Sequence, residues 1–82
     1  ILLFIHILYT MKKIKKIKIE LNGKSKIIKG DYKIKDLISD LKIPIKKVAI
    51  ELNQEILDKK KLSKIKIKNN DKIEIVHFIG GG

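Results

Sequence analysis

The residues with the most evident chemical use stand at the end of the chain. After Phe78 the sequence reads Ile79-Gly80-Gly81-Gly82. Three consecutive glycines bring no side chain to a core and lose much entropy if ordered, so stability gives no reason for them. A frayed terminus is the plain structural explanation. The chemical one is more specific. The carboxylate of Gly82 is a poor electrophile until an enzyme joins it to AMP, which makes a mixed anhydride with a good leaving group. The carbonyl must then meet a nucleophile inside a narrow site. Glycine has no β-carbon, so Gly80 and Gly81 let the backbone thread a channel closed to bulkier residues. At about 3.3 Å per residue, Ile79 to Gly82 would reach roughly 13 Å from the folded body. A tail of that length enters a partner's active site while the body docks outside, and the chain then needs no catalytic residues of its own.

Other candidates carry less. His77 adjoins the tail, and its ordinary use is to fill a sheet position with a satisfied hydrogen bond. Glu51 and Glu74 could form an acid pair, yet carboxylates in strands are usually solvated or paired with lysine. Lys59-Lys60-Lys61 reads as a solvated loop, with docking to an acidic partner as the alternative. The chain has no cysteine, which excludes disulfides, zinc–thiolate clusters and a catalytic thiol. Any sulfur it handles must ride on another group. No glycine-rich loop opens a helix, so ATP is expected on a partner and no cofactor or metal on this chain.

The 82 residues suffice for one domain with a modest core. Net charge is +11, from 20 basic and 9 acidic residues. Such a balance raises nucleic acid as a partner. Against that, every basic residue is lysine, whereas arginine supplies the bidentate contacts to bases and phosphates. Phe4, Tyr9, Tyr32 and Phe78 form no stacking stripe. Lysine and isoleucine have A- and T-rich codons, so an AT-rich genome accounts for the bias unaided, and no nucleic-acid partner is expected.

Ile1 to Thr10 is apolar apart from His6 and Thr10, and Met11 follows it. A membrane span needs about 20 apolar residues, so this stretch is too short. It lacks the basic lead and small-residue cleavage site of a signal peptide. We expect residues 1–10 to be upstream read-through outside the fold, residues 11–82 to be the domain, and the protein to be a cytoplasmic monomer without a membrane partner.

The elements that position the tail follow from periodicity. Ile17, Ile19 and Leu21 alternate with polar residues as in a half-buried strand. Asn22-Gly23 signals a type I′ hairpin turn, with Lys24 to Lys29 returning and Gly30-Asp31 breaking the strand. Ile34, Leu37, Ile38 and Leu41 fall on one helical face. Asp31 suits the helix's positive N-terminal end, and Pro44 is expected to stop it. Val48, Ile50 and Leu52 mark a third strand, Asn53-Gln54 a turn, and Glu55 to Leu57 a short strand. Asp58 to Lys68 reads as a connection with one irregular turn. Asn69-Asn70-Asp71 turns the chain into a last strand from Lys72 to about Phe78, with Ile73, Ile75 and His77 on one side and Glu74, Val76 and Phe78 on the other, a mixed pattern that suits the middle of a sheet with both faces partly covered. One helix on a mixed sheet is an α+β architecture, and this order is that of the β-grasp, or ubiquitin-like, fold.

The segments Lys47 to Asn53, Glu55-Ile56 and Asp71 to Gly82 resemble the thiamine-biosynthesis sulfur carriers, the ThiS family. Ile19 to Gly23 and Asp36-Leu37-Ile38 are similar as well. The resemblance implies that a ThiF-like adenylyltransferase, using ATP and magnesium, adenylates Gly82. Sulfur from a donor such as a cysteine desulfurase then yields a thiocarboxylate, and thiazole synthase takes that sulfur into thiazole. It implies further that Gly81, Gly80, Ile79 and Phe78 lie in the tail that partners grip. Gln54 and Asn70 depart from it, standing where relatives often have turn glycines. Lys33 stands where a capping threonine is common. The same diglycine ending also suits the small subunit of molybdopterin synthase or a conjugated ubiquitin-like modifier.

Overall fold

Alternation of isoleucine with lysine builds the first hairpin. β1 (Lys16–Leu21) and β2 (Lys24–Lys29) pair antiparallel from Leu21 opposite Lys24 to Lys16 opposite Lys29. The two-residue connection has φ of 48° at Asn22 and 81° at Gly23, the left-handed pair that a type I′ turn demands. The computed structural model describes residues 1–13 and 15–78. Of the adjacent isoleucines in β2, Ile28 is buried and Ile27 exposed, as period two requires. β2 ends at Gly30, where a side chain would crowd the Lys15 carbonyl; an added Cβ would lie 2.8 Å from that oxygen.

The helix α2 (Ile34–Asp40) buries Ile34, Leu37 and Ile38. Its N-terminal end is held differently from the expectation placed on Asp31. The Asp36 carboxylate accepts from the Lys33 backbone N–H at 2.9 Å, one half of a capping box. Lysine has no acceptor to supply the other half. Instead, the Ile34 and Lys35 N–H groups donate to the carbonyls of Ile65 and Leu62, at 2.9 and 3.2 Å. Distant backbone thus satisfies the helix's orphan donors. Nor does Pro44 end the helix. Lys42 turns left-handed, with φ 55°, and the N–H groups of Lys42 and Ile43 reach back to Ser39 and Ile38. This is a Schellman ending with lysine where glycine is usual. Pro44 instead leads into a 3-10 turn at Ile45–Lys47.

β3 (Val48–Leu52) and β4 (Glu55–Ile56) form a second hairpin, joined by Asn53 and Gln54 at φ 50° and 73°. Asp58 to Lys68 is more than a connection. It holds a 3-10 turn at Lys59–Lys61, started by the Asp58 carboxylate accepting from the Lys60 N–H at 3.0 Å. It also buries Leu62 and Ile67 in the core. Sparse apolar residues hid this, because an irregular segment has no period to reveal which side chains turn inward.

β5 (Lys72–His77) completes a five-stranded sheet in the order β2-β1-β5-β3-β4. It runs parallel to β1 and antiparallel to β3, from Leu52 opposite Ile73 to Val48 opposite His77. This is the β-grasp arrangement. The last strand is central, as expected, but only one of its faces is covered. Ile73 and Ile75 join Ile19, Val48, Ile50 and the α2 residues in the core, while Glu74 and Val76 are exposed. Helix and connection both lie on the Ile73 side, so the other face meets solvent.

Residues Leu2–Lys13 form a helix, α1, which runs past Met11 and was not read from the sequence. The side chains of Ile1 to Ile7 are exposed, and none belongs to the core. Among the described residues no helix is long and apolar enough to cross a membrane.

Candidate functional site

The tail's root is the end of β5, and three elements fix it. Val48 and His77 are register partners. Beyond them the Phe78 N–H donates to the Lys47 carbonyl at 2.9 Å, extending the ladder one residue past the strand. On the β1 side, where that strand has already ended, the Asn22 side-chain oxygen accepts from the Ile75 N–H at 2.7 Å. A turn side chain therefore continues the ladder that β1 no longer supplies. The root is held by the Lys47 backbone on one side and the Asn22 side chain on the other, which gives whatever follows Phe78 a fixed point of departure.

Phe78 is 57 % exposed, so its ring serves the surface and not the core. The Lys59 ammonium stands 5.2 Å from the ring centroid, within cation–π range. Val76, 51 % exposed, lies on the uncovered face with Ala49 as its partner across β3. Behind them Glu51 and Glu74 are direct register partners. The acid pair considered from sequence is thus real as a juxtaposition, but it forms no ion pair with lysine among the described residues. Opposed like charges weaken a sheet slightly. His77 is exposed, and its ring makes no hydrogen bond among the described residues. Among those residues it has no satisfied partner of the kind expected of it.

Gly82, Gly81, Gly80 and Ile79 lie outside the described residues; of the named tail residues the structure places Phe78. Sequence reasoning named Lys59 as a docking alternative without placing it beside Phe78, and it missed Lys47 and the role of Asn22. They stand tens of residues away in sequence, and nothing in local pattern links them. A cavity of about 400 Å³ opens between β2 and α2, lined by Ile28, Tyr32, Leu37, Leu41 and several lysines. None of its lining residues belongs to the tail's root. The Tyr32 hydroxyl donates to the Asp40 carboxylate there, and this hydrogen bond, with some desolvation, holds the phenol above its usual value of 10.0. Among the described residues no group of His, Asp and Glu could hold a metal.

A mixed five-stranded sheet packed on α2, with β5 at its centre, places the chain in the ubiquitin-like, β-grasp class. The sequence pattern of the ThiS family matches residues 18–82. The chain belongs to the ThiS family. It is 40 % identical over 65 residues to the sulfur carrier protein ThiS of Bacillus subtilis, covering 78 % of this chain and 98 % of that one. It is 35 % identical over 65 residues to a stretch of the thiazole synthase of Paramagnetospirillum magneticum, and so spans only 20 % of that protein's length. The crystal structure of ThiS from Geobacter metallireducens superposes with a TM-score of 0.72 at 29 % identity, covering 80 % of this chain and all of that one.

Proposed function

We propose that this chain carries sulfur as a thiocarboxylate on Gly82 and delivers it to thiazole synthase for thiamine biosynthesis. As a ThiS-family protein it is a sulfur carrier, a protein cosubstrate and not a catalyst. In this reading a ThiF-like adenylyltransferase holds ATP and magnesium. The Gly82 carboxylate attacks the α-phosphorus and pyrophosphate leaves. A persulfide sulfur, from a cysteine desulfurase or another donor, then attacks the acyl carbon and AMP leaves. A thiol reductant cleaves the resulting acyl disulfide and frees the thiocarboxylate. The carrier's own contribution is positional. Phe78 is fixed by Lys47, and the following Ile79, Gly80 and Gly81 give the acyl carbon unhindered access. The carrier unit in this reading is residues 11–82, a cytoplasmic monomer, with residues 1–10 outside it.

The observation that carries this reading is the family match, which runs from β1 through Gly82 and so includes the proposed reactive end. That a thiazole synthase contains a stretch similar to this chain supports the pairing of carrier and acceptor, and favours it over the molybdopterin synthase alternative. The test is intact-mass spectrometry of the full chain after incubation with its adenylyltransferase, ATP and a sulfur source. The expected result is a mass gain of one oxygen exchanged for sulfur, confined to the C-terminal peptide. No gain with an enzyme active on its own carrier overturns the proposal. Removing Gly81 and Gly82 should abolish the gain and leave the thermal midpoint unchanged.

A further inference from the structure

Two lysine-bearing turns from different places in the sequence adjoin the root of the tail. The first 3-10 turn supplies Lys46 and Lys47, and the second supplies Lys59, Lys60 and Lys61. All five are exposed. Two contacts place these turns beside the same residue: the Phe78 N–H on the Lys47 carbonyl, and the Lys59 ammonium over the Phe78 ring. The acid immediately before the second turn, Asp58, accepts with one carboxylate oxygen from the Lys60 backbone N–H. Among the described residues no carboxylate forms an ion pair with any of the five. The opposite sign lies further back on the sheet, where Glu51 and Glu74 face each other across β3 and β5. Exposed Val76 and Phe78 stand between acid and base.

We infer that this lysine collar is a docking surface for an acidic rim around the active-site mouth of the adenylyltransferase that takes the tail. The inference rests on the carrier reading above. Exposed lysines on two adjoining turns, with no ion pair to any of them among the described residues, repel each other and project a field well beyond contact, which steers an oppositely charged partner during encounter. Val76 and Phe78 have the character of an interface centre and the lysines that of its polar rim. The Glu51–Glu74 pair sets a sign change along the sheet, so the wrong docking angle brings like charges together. The collar contributes to encounter and orientation, while the tail alone takes part in the chemistry.

The experiment compares the full wild-type chain with Lys46→Glu/Lys47→Glu/Lys60→Glu/Lys61→Glu, leaving Lys59 on its ring. A control, Lys66→Glu/Lys68→Glu, reverses exposed lysines near the start of β5, away from the tail. Pyrophosphate release by the adenylyltransferase gives KM for the carrier and kcat, at low and high salt. Circular dichroism melts verify that each variant is folded, and Lys→Gln versions at the same four positions provide a milder second series. At low salt the collar variant should raise KM about tenfold or more, with kcat within twofold, and its KM should lose most of its salt dependence. The Gln series should fall between, and the control should stay within twofold of wild type. Equal KM for collar variant and wild type, or an equal rise in the control, overturns the collar while the carrier reading stands. If the wild-type chain itself releases no pyrophosphate, carrier and collar fall together.

Discussion

The protein contains two type I′ hairpin turns of different composition, and their difference can be measured. Asn22-Gly23 has φ of 48° and 81°; Asn53-Gln54 has 50° and 73°. The backbones match, but glutamine stands at the second position of the later turn. A left-handed residue other than glycine or asparagine costs about 1–2 kcal/mol. Glycine gives back about 0.5–1 kcal/mol through the greater freedom of its unfolded chain. Gln54→Gly should therefore stabilise the domain by about 0.5–1 kcal/mol, since the Gln54 side chain is exposed and forms no hydrogen bond among the described residues. For a domain of this size that raises the thermal midpoint by about 2–8 °C. The reverse change is available within the same molecule. A Cβ on Gly23 would meet nothing within 4 Å, so Gly23→Ala tests backbone conformation free of steric clash. It should lower the midpoint by a similar amount. Melts of the full chain by circular dichroism provide both values. An unchanged or lowered midpoint for Gln54→Gly, with the expected loss for Gly23→Ala, would show that residue type at this position does not limit stability and refute the reasoning. Sulfur loading should be the same in both variants, because the Asn53 N–H binds the Lys72 carbonyl, at the end of β5 opposite the tail.

Three further outcomes follow from the packing and hydrogen bonds. Leu62→Ala should cost about 2–5 kcal/mol in chemical denaturation, because Leu62 is buried within the core despite sitting in a lysine-rich connection; a loss typical of a surface site would contradict that placement. Asn22→Gly preserves the turn's backbone preference but removes the acceptor for the Ile75 N–H, and should destabilise by about 1 kcal/mol with faster amide exchange at Ile75. Phenolate absorbance should show Tyr32 titrating above 10.0, and Asp40→Asn should bring it down. Because the folded value is the higher one, this group's contribution to stability is full below the ordinary tyrosine range and is lost as pH rises through the folded value.

The sequence by itself determined the strands, the first turn and the helix α2. Those features are local: alternation of isoleucine with lysine, Asn22-Gly23, and four apolar residues on one helical face each state their conformational consequence within a few residues. What the tertiary structure decided is how those pieces complete one another. Neither Asp31 nor Lys33 reveals that carbonyls from Leu62 and Ile65 satisfy the start of α2. Pro44 suggested a helix end that Lys42 had already made. The mixed pattern of β5 did not disclose that its Val76 side lies open. The meeting of Lys47 and Lys59 at Phe78 depends on where two turns land after folding. Periodicity reports which side of an element is apolar, but only packing sets what that side meets, because hydrogen bonds and charge act across space between residues the chain keeps far apart.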